Sequence, residues 1–249
     1  MNETIKLLMG RKSVRQFVKE PMPREDVEAI LNAAVQAPSA GNMTLWTIIN
    51  VTDPEKKAAL AKSCDNQPFI ATAPLVLVFC ADYRRWFEVF KTLDLGEELR
   101  VPSYGDFMLA TADTITAAHA TVVAADALGY GSCYIGDIIE NCDTQREILG
   151  LPEYVKPVAM AVYGKPTQNQ IDRKKPPRFH LEDVVHENCY KKEQGAEKMI
   201  DMLKTRQGHD DEAFERWIMA FTKRKWNCDF SREMSRSAAQ MIREWCEGK

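Results

Sequence analysis

The spacing of apolar positions along this chain changes repeatedly, and each change marks an element. Ile5, Leu8 and Met9 form a short helical stripe that stops at Gly10. Pro23 opens a second helix, with Glu25 and Asp26 in the first turn, where the helix dipole favours acidic side chains. Val27, Ile30, Leu31, Ala34 and Val35 recur at helical spacing and predict one buried face, which Pro38 ends. Residues 46–51 read as a strand from their β-branched and aromatic content. Thr52 and Glu55 then suggest a capping box. Residues 75–81 are continuously apolar, which predicts a strand covered on both faces. Residues 83–99 read as helix. Residues 107–128 predict a long, Ala- and Thr-rich helix at the centre of the fold, ending at Gly129. Short strands are expected at 132–136 and 158–163, and a basic, Pro-rich loop at 165–178. Further helices are expected at 191–204, 210–226 and 231–246.

Strands and helices do not alternate regularly, so the pattern argues for α+β rather than a doubly wound sheet. No repeat or linker divides the 249 residues. The expected division is a domain over 1–190, with a helical extension over 191–249 packing on it. The net charge of -3 argues against a general nucleic-acid binder. The first residues lack the pattern of a signal peptide, and apolar runs such as 75–81 are too short to span a bilayer. The expectation is a cytoplasmic protein with no membrane partner. Seven cysteines at wide, irregular spacing include no CxxC pair, so they read as reduced thiols in apolar surroundings.

Candidate chemistry gathers in two clusters. Arg11, Lys12, Ser13 and Arg15 offer three cations and a hydroxyl within five residues, which suits a phosphate. Pro38-Ser39-Ala40-Gly41-Asn42 offers short hydrogen-bonding side chains on a shaped loop, which suits the polar edge of a flat heterocycle. The helix between them is expected to place the clusters at opposite ends of one ligand, and a flavin mononucleotide has that form. Other signatures fail. Gly129-Tyr130-Gly131 is followed by Tyr134 where a dinucleotide fingerprint needs glycine. There is no P-loop, no nucleophile elbow at Ser39 and no zinc-protease motif at His186.

With these pieces in order, the chain resembles the FMN-dependent nitroreductase family. The matching pieces are Arg11-Lys12-Ser13-Val14-Arg15-Gln16-Phe17, Ala37-Pro38-Ser39-Ala40-Gly41-Asn42, Gly129-Tyr130-Gly131 with Tyr134-Ile135-Gly136, and the run from Lys156-Pro157-Val158 to Gly164. Pro177-Arg178 and Val185-His186-Glu187-Asn188-Cys189-Tyr190 look like the larger NADPH-linked nitroreductase and flavin reductase subgroup. The resemblance implies an α+β nitroreductase-like fold, with a central, mostly antiparallel sheet flanked by helices. It also implies a homodimer that completes the domain and holds FMN at its interface. Carried over, Arg11, Lys12, Ser13 and Arg15 hold the phosphate. Ser39, Asn42 and Gln67 contact the ribityl chain or ring edge, and Tyr134, Ile135 and Gly136 cover the ring. Arg178, with Lys174 or Lys175, closes on the phosphate. Arg206, in a Thr-Arg-x-Gly segment expected as an exposed loop, is the candidate contact for the NADPH phosphate. Two positions depart from the subgroup. Lys175-Pro176-Pro177-Arg178 replaces Lys-Pro-Arg, and Asp137 stands where a second glycine is common.

The activity so implied is an NAD(P)H oxidoreductase that passes hydride through FMN in a ping-pong cycle to nitroaromatics, quinones or flavins, with no protein nucleophile. The alternatives are a flavin-binding sensor or carrier without turnover, and a relative specialised to dehalogenate or to break down a flavin.

Overall fold

The computed structural model describes residues 1–93, 98–191 and 195–249. In chain order the elements are α1 (Glu3–Gly10), α2 (Arg24–Val35), a 3-10 turn (Ala40–Asn42), β1 (Trp46–Asn50), α3 (Pro54–Ser63), α4 (Pro68–Thr72) and β2 (Leu75–Asp82). Then come α5 (Arg84–Thr92), α6 (Tyr104–Ala127), β3 (Gly131–Ile135), a second 3-10 turn (Gly136–Ile139), α7 (Cys142–Leu149) and β4 (Val155–Gly164). The chain closes with α8 (Gln168–Asp172), α9 (Leu181–Val184), α10 (Ala196–Gln207), α11 (Asp211–Lys225) and α12 (Asp229–Glu247). Of the helix expected at 83–99, α5 covers Arg84–Thr92; residues 98–99 are not helical, and residues 94–97 lie outside the described residues. So do residues 192–194 of the span expected at 191–204.

Two compact units form, Met1–Arg173 with Arg232–Lys249, and Lys174–Ser231. In the first unit the four strands make one antiparallel sheet in the order β1-β2-β4-β3. Every residue of β2 and β4 is buried, which explains the continuous apolar run of 75–81. Successive β2 side chains serve opposite faces, as the strand period requires. Leu75, Leu77 and Phe79 join Ile30 of α2 and Ala118, Val122 and Ala125 of α6. Val76, Val78 and Cys80 join Leu60 of α3, Ile70 of α4 and Ile138.

Small side chains bring α6 close to the sheet, and Thr121 Oγ1 meets the Tyr163 hydroxyl at 2.6 Å, so the buried phenol has its partner. Ser103 and Asp106 form a capping box at the start of α6, and Arg100 grips Asp106 at 2.6 and 2.9 Å. By length and composition α6 is the one helix among the described residues that could cross a bilayer, yet Ala117, Ala118 and Val122 are fully buried in the core. Its other face leaves Met108, Leu109 and Ile115 exposed.

Three local expectations change. Asp53, not Thr52, caps α3: its side chain accepts the Glu55 amide, with Pro54 at the first helical position. Val35 is 61% exposed, because α2 buries only Ile30 and Ala34 before it ends. α1 buries none of its residues, so the stripe of Ile5, Leu8 and Met9 is an exposed apolar face. Trp46 is core, and Cys64, Cys80, Cys133 and Cys142 are buried as free thiols. Burial pushes the Cys64 thiol up to about 12 and raises Cys80 and Cys133 as well.

Candidate functional site

Residues 11–15 run along the outer edge of β3. The Val14 amide donates to Ser132 O at 2.8 Å, and Ser13 pairs with Ser132 as a parallel bridge. Gly131 permits this approach, since a Cβ there would lie 2.5 Å from Val14 Cγ2, well inside carbon contact distance. α8 braces the same segment. Gln170 Oε1 accepts the Arg15 amide at 3.1 Å. Lys12 Nζ donates to Ile171 O at 2.6 Å and to Arg173 O, while the Arg173 guanidinium donates to Ser13 O. Lys12, expected at a phosphate, therefore lies on the carbonyls that end α8, where the helix dipole favours a cation.

The Arg15 side chain remains exposed. With Arg173 it lines a cavity of about 600 Å³ whose other walls include Phe17, Pro68, Phe69 and Thr72. Arg173 escaped the sequence reading, which fixed on Lys174 and Lys175 beside it. In a run of three cations, only the fold shows which one shares a cavity with Arg15. Gln67 caps α4 at the border of this cavity, and its Nε2 donates to Cys64 O at 2.9 Å. Arg11 faces a second cavity of about 400 Å³, with Lys6, Asp126 and Tyr130. Burial pushes the Asp126 carboxyl up to about 6, and the Arg11 charge opposes that rise.

Tyr134, Ile135 and Gly136 end β3 and begin the second 3-10 turn. Tyr134 is 36% exposed, and the burial of the rest pushes its phenol up to about 12 against the pull of Arg11. Ile135 points its side chain into the core, so only its backbone can face a ligand. Behind them, Arg15 and Arg11 both act on Cys133, which places the two guanidinium groups on this end of the sheet.

Ser39 and Asn42 lie elsewhere. Ser39 Oγ accepts the Thr44 amide at 2.9 Å, and Asn42 is exposed in the left-handed region with φ 58°. The loop is tied down by the Ala40 amide, which donates to both Asp113 oxygens at 3.1 Å. Asp113, midway along α6, marks this cluster, and Asp126, at the C-terminal end of α6, marks Arg11. Thirteen residues separate them, about 20 Å at the helical rise. The sheet agrees, because β1 follows Ser39 and Asn42 and forms the edge opposite β3. Within one chain the two clusters thus meet different levels of α6 and opposite edges of the sheet.

In the second unit, Thr205, Arg206 and Gln207 form the last turn of α10, closed by Gly208 in the left-handed conformation. The exposed loop expected there is instead a capped helix end. Arg206 is half-buried, its guanidinium 4.2 Å from the centroid of Phe179. Its Nε is buried with no hydrogen-bond partner. Arg206 shares a cavity of about 300 Å³ with Arg178 and Lys198, and with the carboxylates Asp183 and Asp201. Lys175 is half-buried and Lys174 exposed. No cluster of His, Cys, Asp and Glu able to hold a metal occurs among the described residues.

A family model described as "Nitroreductase family" matches residues 8–165. The oxygen-insensitive NADPH nitroreductase of Salmonella typhimurium is 36% identical over 192 residues, 76% of this chain and 75% of that protein. The FMN reductase (NADPH) of Bacillus subtilis is 32% identical over the same shares. Among solved structures, nitroreductase A from Vibrio parahaemolyticus matches with a TM-score of 0.78 at 29% identity, covering 90% of this chain and 91% of that one. The NADPH:FMN oxidoreductase from Vibrio harveyi, complexed with NAD+, also gives 0.78, at 25% identity over 95% and 98%.

Proposed function

This chain belongs to the nitroreductase family, and on that premise we propose that it is an FMN-dependent NAD(P)H oxidoreductase reducing nitroaromatics, quinones or flavins. The observation that carries this reading is the cavity in which Arg15 and Arg173 face an aromatic wall at Phe69. Two guanidinium forks suit a phosphate, and the apolar wall suits the flat body of a flavin. The donor set around it fits the cofactor. Ser132 Oγ and Thr167 Oγ1, on segments that pair with residues 13–16, are buried hydroxyls with no hydrogen-bond partner.

When bound, FMN supplies the chemistry, accepting hydride from reduced nicotinamide and passing the electrons on. The chain's own residues bind and orient. Arg15, Arg173 and Ser13 hold the phosphate, with Arg11 beside them. Gln67 and the backbone of Ile135 and Gly136 meet the ring edge, and Tyr134 lies against the ring. Ser39 and Asn42, whose loop meets α6 at Asp113 while Arg11 faces Asp126, serve the site of a second copy. The exposed apolar faces of α1 and α6 support such a homodimer. Arg206, with Arg178, supplies charge for the extra phosphate of NADPH. A cytoplasmic location, where reduced nicotinamide is available, belongs to the same reading.

The test is purification followed by reconstitution. The protein is expected to carry FMN and to consume NADPH steadily with a quinone or nitroaromatic. Arg15→Ala and Arg173→Ala should each weaken FMN about tenfold to a hundredfold, the loss of one charge-assisted contact of roughly 1.5–3 kcal/mol. Unchanged FMN affinity in both variants overturns the phosphate assignment. Bound FMN without NADPH consumption selects the carrier instead.

A further inference from the structure

Glu140 ends the 3-10 turn that follows β3, and its surroundings are hostile to a charge. The residue is 6% exposed, and its Oε1 is buried with no hydrogen-bond partner. The titratable groups around it are acidic. Asp137 lies on the same turn, where the Glu140 amide donates to Asp137 O at 3.1 Å. Asp65 approaches from the loop after α3, and Glu233 from α12. The nearby cation, Arg236, is already paired with Glu233 at 2.8 Å. The Cys64 thiol, which also senses Asp137 and Glu140, is protonated at neutral pH. A carboxylate that loses water and gains like-charged neighbours favours its neutral acid. Burial first, and then those three carboxylates, push Glu140 up to about 7.

This cluster adjoins the flavin site. Gln67 donates to the carbonyl of Cys64, and Asp137 follows Gly136 directly. We propose that Glu140 is a proton-holding residue of the flavin site, a buried acid whose protonation is linked to the charge of the isoalloxazine ring. This rests on the FMN reading above. In the reductive half-reaction the nicotinamide loses a hydride and is oxidised, and the ring gains that hydride and one negative charge. Where Glu140 is ionised beforehand, its carboxylate takes one proton from solvent and the added charge is balanced. Asp137, in place of the subgroup's glycine, is what makes such a device useful, since it adds a negative charge beside the ring.

Two measurements test this. Carbon-13 NMR of glutamate carboxyls in the flavin-free protein, with Glu140→Gln to assign the signal, should show Glu140 titrating near neutrality. In Asp137→Gly the same signal should titrate at lower pH. In the FMN-loaded protein, the two-electron midpoint potential above about pH 7 should fall more steeply with pH than in Glu140→Gln. One extra proton per two electrons corresponds to about 30 mV per pH unit. A Glu140 that is fully ionised at pH 5.5 overturns the proposal, as do equal slopes in the two proteins. A folded protein that takes up no flavin overturns the FMN reading and this link with it, and the NMR titration then still reports Glu140 separately.

Discussion

Lys12 and Arg15 are three positions apart and carry the same charge, yet the fold gives them different work. Lys12 ends α8, while Arg15 looks into a cavity beside Arg173. Sequence shows that cations are concentrated there, but not which of them the backbone already holds. That depends on α8, more than 150 residues further along. Glu140 was equally hidden, because its character comes from Asp65 and Glu233, distant in sequence. Its consequence for stability has a definite sign. The folded value of about 7 lies above the ordinary 4.5. Between those two pH values the unfolded chain has lost the proton and the folded chain keeps it, because burial disfavours the carboxylate. Folding is therefore favoured at low pH, and that advantage is lost as pH rises from about 4.5 to about 7 and levels off above. Thermal unfolding of the flavin-free protein across this range should show Glu140→Gln gaining on the parent as pH rises, with a constant difference above neutrality. A constant difference throughout would mean that Glu140 is ionised in both states.

Among the elements, those with one strong period were legible, since a covered strand or an amphipathic helix writes its burial into its own residues. Residues 75–81 and the long helix α6 are of this kind. The edges of elements were less so. Residues 205–207 look polar and loop-like, but Gly208 makes them the end of α10. That change strengthens the case for Arg206, because a helix end stacked on Phe179 is held in place before any ligand arrives. Arg206→Ala should lower kcat/KM for NADPH about ten- to a hundredfold, from a loss of roughly 1.5–3 kcal/mol. Turnover with NADH should hardly change, and equal losses with both cofactors would reveal a structural role. β3 offers a second test. Gly131→Ala places a methyl against Val14, so the segment carrying Arg15 must move. Overpacking of this sort costs about 1–3 kcal/mol. The variant should melt lower and bind FMN more weakly, and an unchanged Tm and affinity would show that the segment does not need its seat on β3.

At the scale of the whole molecule, the telling fact is that Arg15 lies beside β3, at one edge of the sheet, while the Ser39 loop leads into β1 at the other. If a site draws on both, two copies of the chain must supply it. Co-expression of Arg15→Ala and Ser39→Ala chains should then yield mixed dimers in which one site carries both defects and the other carries none. Such dimers should hold about one tightly bound FMN per two chains, because one of the two sites keeps all its residues. Isothermal titration of tagged mixed dimers reads this directly, and two equally weakened sites would place both residues in the same chain's pocket. The antiparallel sheet was legible only through the resemblance, since strand order depends on pairings such as β2 with β4 that no local pattern contains.

The proposal that quinones are among the acceptors gives the buried thiols a consequence, since quinones are electrophiles that alkylate sulfur. Attack requires the thiolate. Cys64, Cys80 and Cys133 sit within the hydrophobic core, out of contact with solvent, and their burial keeps the proton on sulfur. These three thiols are thus inert toward the compounds proposed to react in the same unit, and alkylation is left to the exposed Cys189 and the half-buried Cys228 and Cys246.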